Sequence, residues 1–224
     1  MARRWTLVGV LAAGVLTVAL LVPLGAAAQD GTPTCGGIAA TIVGTPGNDT
    51  IQGTSGDDVI VGRGGNDTIF GLDGRDTICG DEDGIPVAGD DRIEGGGGGD
   101  SILLGDGDNI TTGGNDRVMG GAGNDEFAEG DGLNITTGGN DRVSGGDGKD
   151  TGLAGDGFEG VATGGNDRVS GDAGNDSLDG DQTDGDSPDG GDDFLDGGAK
   201  NDTLDGDTGV DKCVNGEVVV NCEV

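Results

Sequence analysis

Aspartate is the residue whose spacing in this chain could do chemistry. Asp49, Asp58, Asp67 and Asp76 stand nine residues apart, each with glycine two positions before it and isoleucine two positions after it. The unit then returns as pairs nine apart: Asp91/Asp100, Asp116/Asp125, Asp141/Asp150, Asp167/Asp176 and Asp193/Asp202, with Asp211 closing the series. Of these 15 anchor aspartates, 14 follow the glycine rule; Asp202, preceded by Lys200, does not. A carboxylate is a hard anionic oxygen donor. Calcium accepts roughly six to eight oxygens in irregular geometry, carbonyls included, whereas magnesium demands a near-ideal octahedron. A row of aspartates in glycine-rich turns therefore points to calcium and away from magnesium.

A nine-residue unit that delivers one carboxylate per turn must bend sharply and then run straight for a few residues. Glycine supplies the bend and lets carbonyls come close to an ion. The residues after each Asp supply a strand of about three residues with one side chain turned inward. Two units make a coil, so residues 18 apart stack at the inter-strand distance of about 4.8 Å. From Asp91 onward the step between pairs is 25, 25, 26 and 26 residues, so each later coil carries an insert of seven or eight; GDGDNITTGG, GDGLNITTGG and GDGFEGVATGG are among them. The apolar positions two after each Asp predict two inner ladders. One stacks Ile51, Ile69, Ile93, Val118, Val143, Val169, Leu195 and Cys213; the other stacks Ile60, Ile78, Ile102, Phe127, Leu178 and Leu204, with Gly152 as a gap.

GGGGGD at 95–100, GGAGND at 120–125 and GGDGKD at 145–150 carry a resemblance. Over about residues 44 to 213 the sequence resembles the RTX, or haemolysin-type calcium-binding, repeat family, whose unit is GGxGxDxUx. The resemblance implies an all-β fold, a right-handed parallel β-roll of stacked nonapeptide coils with inserts, holding several calcium ions. Each ion would take an anchor Asp carboxylate and backbone carbonyls from successive coils, so all 15 anchors are candidate metal ligands. Ligands that meet only when coils stack make metal affinity and folding free energy one quantity.

Composition agrees. With 54 glycines and four phenylalanines an ordinary packed core is excluded. Residues 1–28 read as a secretory signal: Arg3 and Arg4, an apolar run from Leu7 to Leu24, and a small-residue cleavage site at 26–28. A retained membrane anchor is the competing reading of that run. The remaining chain has 11 − 2 = 9 basic and 43 acidic residues, a net charge of 9 − 43 = −34. Nucleic acid and anionic membrane are not expected partners of such a chain. Its self-repulsion and lack of apolar bulk predict disorder until multivalent cations bind. Four cysteines in an exported chain read as disulfides. Three pairings are open; Cys35–Cys79 with Cys213–Cys222 is favoured because each bridge staples one end of the array. The expected organisation is a signal peptide at 1–28, an N-terminal cap at 29–43, β-roll repeats at 44–212 and a C-terminal cap at 213–224.

Catalysis is not expected. The chain has no histidine, which removes Ser-His pairs and zinc-protease motifs. Gly99-Asp100-Ser101 resembles the start of a lipase block, but the nonapeptide register already explains Asp100. Asn48, Asn66, Asn109, Asn134 and Asn201 match the glycosylation pattern yet occupy repeat turns, and Thr50, Thr68, Thr77, Thr151 and Thr203 read as exposed strand residues. The expected function is secreted, extracellular calcium binding with calcium-driven folding. A calcium-stiffened surface or adhesive protein with a cell-surface or matrix partner is the alternative. A calcium module of a secreted enzyme is disfavoured, because the repeats fill the chain.

Overall fold

The structure is a computed structural model that describes residues 31–157, 163–181 and 190–223. The signal-peptide reading of residues 1–28 lies outside these. Among the described residues there is no helix. Two parallel sheets face each other as a β-solenoid. The first has eight strands: Thr50–Gln52, Thr68–Asp73, Arg92–Gly97, Arg117–Ala122, Arg142–Asp147, Arg168–Ala173, Phe194–Asp196 and Lys212–Val214. The second has nine: Ile42–Val43, Val59–Arg63, Thr77–Asp81, Ile102–Leu104, Ala128–Glu129, Leu153–Asp156, Ser177–Asp181, Thr203–Asp205 and Val218–Val220. Consecutive strands alternate between the sheets, so each coil contributes one strand to each. This is the arrangement demanded by a unit too short to bury its apolar residue alone.

The core is a double file of aliphatic side chains. In the first sheet Ile51, Ile69, Ile93, Val118, Val143, Val169 and Leu195 are buried in register, with Cys213 packed against their end. That ladder is the one read from the sequence.

The second ladder differs from its expectation in the middle coils. Ile60, Ile78, Leu178 and Leu204 point inward, but between them the inner positions belong to Leu103, Ala128 and Leu153, three residues after Asp100, Asp125 and Asp150. Ile102 and Phe127 therefore leave the core, Phe127 with 41% of its surface exposed. Nor is there a gap at Gly152: it occupies the extra position at φ +66°, and Leu153 fills the rung. An extra residue after the anchor is a bulge, and because side chains alternate along a strand, one residue of slip exchanges inner for outer. The file is kept full by the choice that buries Leu103 and Leu153 completely.

The ends are closed differently from the middle. Strands Thr34–Cys35 and Ile38–Ala39 pair antiparallel, and Cys35 joins Cys79, Val61 and Leu104 in a small cluster outside the second sheet. A disulfide links Cys35 to Cys79 with Cα atoms 5.6 Å apart, and another links Cys213 to Cys222 at 5.9 Å. The final strands, Lys212–Val214 and Val218–Val220, extend the two sheets by one rung each.

Candidate metal centres

Every anchor aspartate stands one to three residues before a strand, and the anchors divide between the two edges of the solenoid. Asp49, Asp67, Asp91, Asp116, Asp141, Asp167, Asp193 and Asp211 precede first-sheet strands, on the edge that carries the inserts. Asp58, Asp76, Asp100, Asp125, Asp150, Asp176 and Asp202 line the other, short edge. All but Asp49 are buried.

One hydrogen bond repeats along both edges. The backbone N–H of each anchor donates to Oδ1 of the anchor in the next coil. On the insert edge it runs from Asp49 to Asp67 (2.7 Å), Asp67 to Asp91 (2.6 Å), Asp91 to Asp116 (2.6 Å), Asp116 to Asp141 (2.7 Å), Asp141 to Asp167 (2.7 Å), Asp167 to Asp193 (2.8 Å) and Asp193 to Asp211 (2.9 Å). On the short edge it runs from Asp58 through Asp76, Asp100, Asp125, Asp150 and Asp176 to Asp202 at 2.7–2.9 Å. Each file ends on a glutamate: Glu217 accepts the N–H of Asp202, and Glu223 that of Asp211. At the other end the Oδ2 atoms of Asp49 and Asp58 accept the N–H and hydroxyl of Thr45 and Thr54.

Between those ends the second oxygen is left over. Oδ2 of Asp67, Asp76, Asp91, Asp100, Asp116, Asp125, Asp141, Asp150, Asp167, Asp176, Asp193, Asp202 and Asp211 is buried without a hydrogen-bond partner. Burying an unpaired charged oxygen costs several kcal/mol unless a counter-charge meets it. Glycine keeps the space beside each oxygen open. A Cβ on Gly95 would strike Oδ2 of Asp100 and approach the Gly120 carbonyl to 2.7 Å; one on Gly120 would strike Oδ2 of Asp125 and approach the Gly145 carbonyl to 2.6 Å. Carboxylate and carbonyl oxygens from successive coils thus converge on spaces that only glycine leaves free. The donor set is all oxygen and anionic, and it fits calcium.

The insert edge holds a second file of acids that the nonapeptide register does not mark. Asp81, Asp106, Asp131, Asp156 and Asp181 open the inserts and are completely buried. Each closes its own insert by accepting, through Oδ2, the N–H of Gly89, Gly114, Gly139, Gly165 or Gly191 at 2.6–2.8 Å, and each keeps Oδ1 without a partner. They bring four triads together: Asp81/Asp91/Asp106, Asp106/Asp116/Asp131, Asp131/Asp141/Asp156 and Asp156/Asp167/Asp181, within each of which the ligand atoms lie no more than 4.8 Å apart. The first three inserts stack on one another, with parallel bridges from Val87 to Thr112 and on to Thr137 and with Ile110 and Ile135 buried beneath. A signal for the second file exists in the sequence, as a Gly-Asp pair at Gly80, Gly105, Gly130, Gly155 and Gly180 every 25 residues. Reading the inserts as excursions from the repeat hid it.

Electrostatics separates the edges. Burial, reinforced by neighbouring carboxylates, pushes Asp91, Asp181 and Asp193 up to about 8, Asp81 to about 7 and Asp106 to about 10. Asp116, Asp131, Asp141, Asp156 and Asp167 are raised well above the ordinary carboxylate range for the same reason. On the short edge burial lifts Asp100 only to about 7 and Asp150 and Asp176 to about 6. Asp49, at the threonine-capped end, is lowered by its Thr45 hydrogen bonds. These Asp-rich turns can hold metal ions, and the insert edge gathers the most carboxyl groups.

The sequence model of the RTX calcium-binding nonapeptide repeat, four copies long, matches residues 42–81, 87–111, 110–128, 135–158, 161–184 and 188–217. No curated protein matches the sequence.

Proposed function

The chain belongs to the RTX calcium-binding nonapeptide repeat family, and on that premise we propose that it is a secreted, non-catalytic β-roll that binds calcium extracellularly and folds as it does so. The observation that carries the reading is the row of buried Oδ2 atoms without partners, from Asp67 and Asp76 to Asp202 and Asp211. A chain of net charge −34 beyond residue 28 has little reason to bury carboxylates against one another. Cations between the coils remove the repulsion and supply the missing partners in one step.

The anchors from Asp67 onward are the proposed ligands, with the carbonyls of the glycine turns. Asp49 and Asp58 close the roll at one end by accepting from Thr45 and Thr54, and Glu217 and Glu223 close it at the other. On the insert edge the triads add two carboxylates to each of Asp91, Asp116, Asp141 and Asp167. Their nine aspartates carry nine negative charges, which four divalent ions, one per triad, nearly cancel at 8 − 9 = −1. Affinities of extracellular calcium modules lie on the order of 10⁻⁴–10⁻³ M. During export the chain would then be extended and calcium-free, and outside the cell it would condense into a rod.

The test is far-UV circular dichroism of residues 29–224 during titration with calcium and then with magnesium. Cooperative conversion from disorder to β structure near millimolar calcium, and not with magnesium, is the expected result. A chain already rich in β structure in thorough chelator, or disordered at every calcium concentration, would overturn it.

A further inference from the structure

We propose that the outer face of the first sheet is a binding surface for a linear acidic polysaccharide, gripped by a column of arginines. Nine basic residues lie beyond residue 28, and five fall in one column. Arg92, Arg117, Arg142 and Arg168 are paired strand to strand, followed by Phe194 and Lys212. Both Arg168 and Lys212 lie over the Phe194 ring, at 4.2 Å and 5.5 Å from its centroid. Like charges directly opposite on neighbouring strands destabilise a sheet, so stability does not explain the column.

In so acidic a chain, arginines are expected to find carboxylates. Among the described residues the ion pairs are Arg63–Glu82, Arg75–Glu126 and Arg92–Glu94; Arg117, Arg142 and Arg168, all exposed, take part in none. The flanking columns show why. On one side the register reads Glu94, Met119, Ser144, Ser170, Asp196. On the other it reads Asp90, Asn115, Asn140, Asn166, Asp192, joined by hydrogen bonds from each backbone N–H to the preceding side-chain oxygen. Acids stand at both ends and neutral residues beside the three central arginines. Asp172, further along its strand, is occupied by the hydroxyls of Ser144 and Ser170. Three guanidinium groups without a carboxylate partner thus stand one coil apart, about 4.8 Å in backbone spacing, above a shallow groove lined by Met119, Ser144 and Ser170, with Arg117 donating to Met119 Sδ at 3.6 Å and Arg168 resting on the Phe194 ring.

Guanidinium binds carboxylate and sulfate in a bidentate fork, and a straight column with a fixed repeat suits a polymer whose charges also repeat. Single-stranded nucleic acid needs stacking platforms, and the column offers one aromatic ring, already covered by two cations. The net negative field of the chain opposes loose polyanion adhesion, so binding has to come from these arginines.

The experiment measures binding of the full chain, in saturating calcium, to immobilised polygalacturonate and to dextran sulfate, with neutral dextran as reference. Circular dichroism on the same samples separates a failure to fold, which would count against the calcium reading, from a failure to bind. Replacing Arg117, Arg142 and Arg168 together by Gln should weaken binding at least about ten-fold, the worth of one charge-assisted hydrogen bond. Replacing Arg75, Lys149 and Lys200 by Gln removes the same charge from exposed positions elsewhere and should leave binding as in the unaltered chain. Preference for one polymer identifies carboxylate or sulfate as the partner group. Absence of binding, undiminished binding in both variants (the mark of calcium bridging), an equal loss in both (the mark of loose charge attraction), tighter binding to single-stranded DNA, or an arginine-dependent dimer without polymer would each overturn the proposal.

Discussion

Asp116 donates its backbone N–H to Oδ1 of Asp141 at 2.7 Å, and Oδ2 of Asp141 is left buried with no partner. The two halves of one carboxylate thus do different work. One oxygen sets the register between coils, and the other faces a space that a cation fits. Because the same relation recurs coil after coil, registering the strands and assembling the metal centres are a single event.

Ion counting tests the triads. Asp131 belongs to two of them and Asp81 to one. In native mass spectra of the calcium-loaded chain, Asp131→Asn should lose two ions and Asp81→Asn one, with the short edge still filled. Equal losses, or none, would refute the sharing of carboxylates between neighbouring centres.

Acidity should replace calcium in part. Burial holds Asp91, Asp181 and Asp193 at about 8 in the folded, metal-free chain, whereas an unfolded aspartate titrates near 3.9. Raised folded values mean that the folded state keeps protons the unfolded chain releases. Their stabilising contribution is complete below about pH 4 and is lost as pH rises through about 8. In chelator, β structure followed by circular dichroism should therefore be greater at pH 5 than at pH 8, and calcium should restore it at pH 8. The opposite trend would show that these carboxylates are not buried together.

The bulge makes a sharp distinction between neighbours. Leu153→Ala removes a completely buried side chain from the inner file and should cost about 2–5 kcal/mol. Phe127→Ala removes a larger side chain from the outside of the same sheet and should cost less than about 1 kcal/mol. Denaturant melts in saturating calcium measure both. A larger loss for Phe127 would restore the register in which the inner residue always stands two after the anchor.

How much could be read beforehand follows a physical line. The nine-residue period, the glycine turns, the anchor aspartates and the ladder from Ile51 to Leu195 were legible, because each is a local property of one unit repeated. The sequence by itself therefore determined that the chain is a stack of coils with carboxylates in its turns. The tertiary structure decided what meets across coils. It placed Leu103, Ala128 and Leu153 inside, because a one-residue slip exchanges the faces of a strand and only packing chooses between them. It gathered Asp106, Asp116 and Asp131 from two inserts and a turn, and it aligned Arg117, Arg142 and Arg168 between neutral flanks. Such contacts join residues about a coil apart in sequence, and their partners are fixed only when insert lengths and strand register are satisfied together.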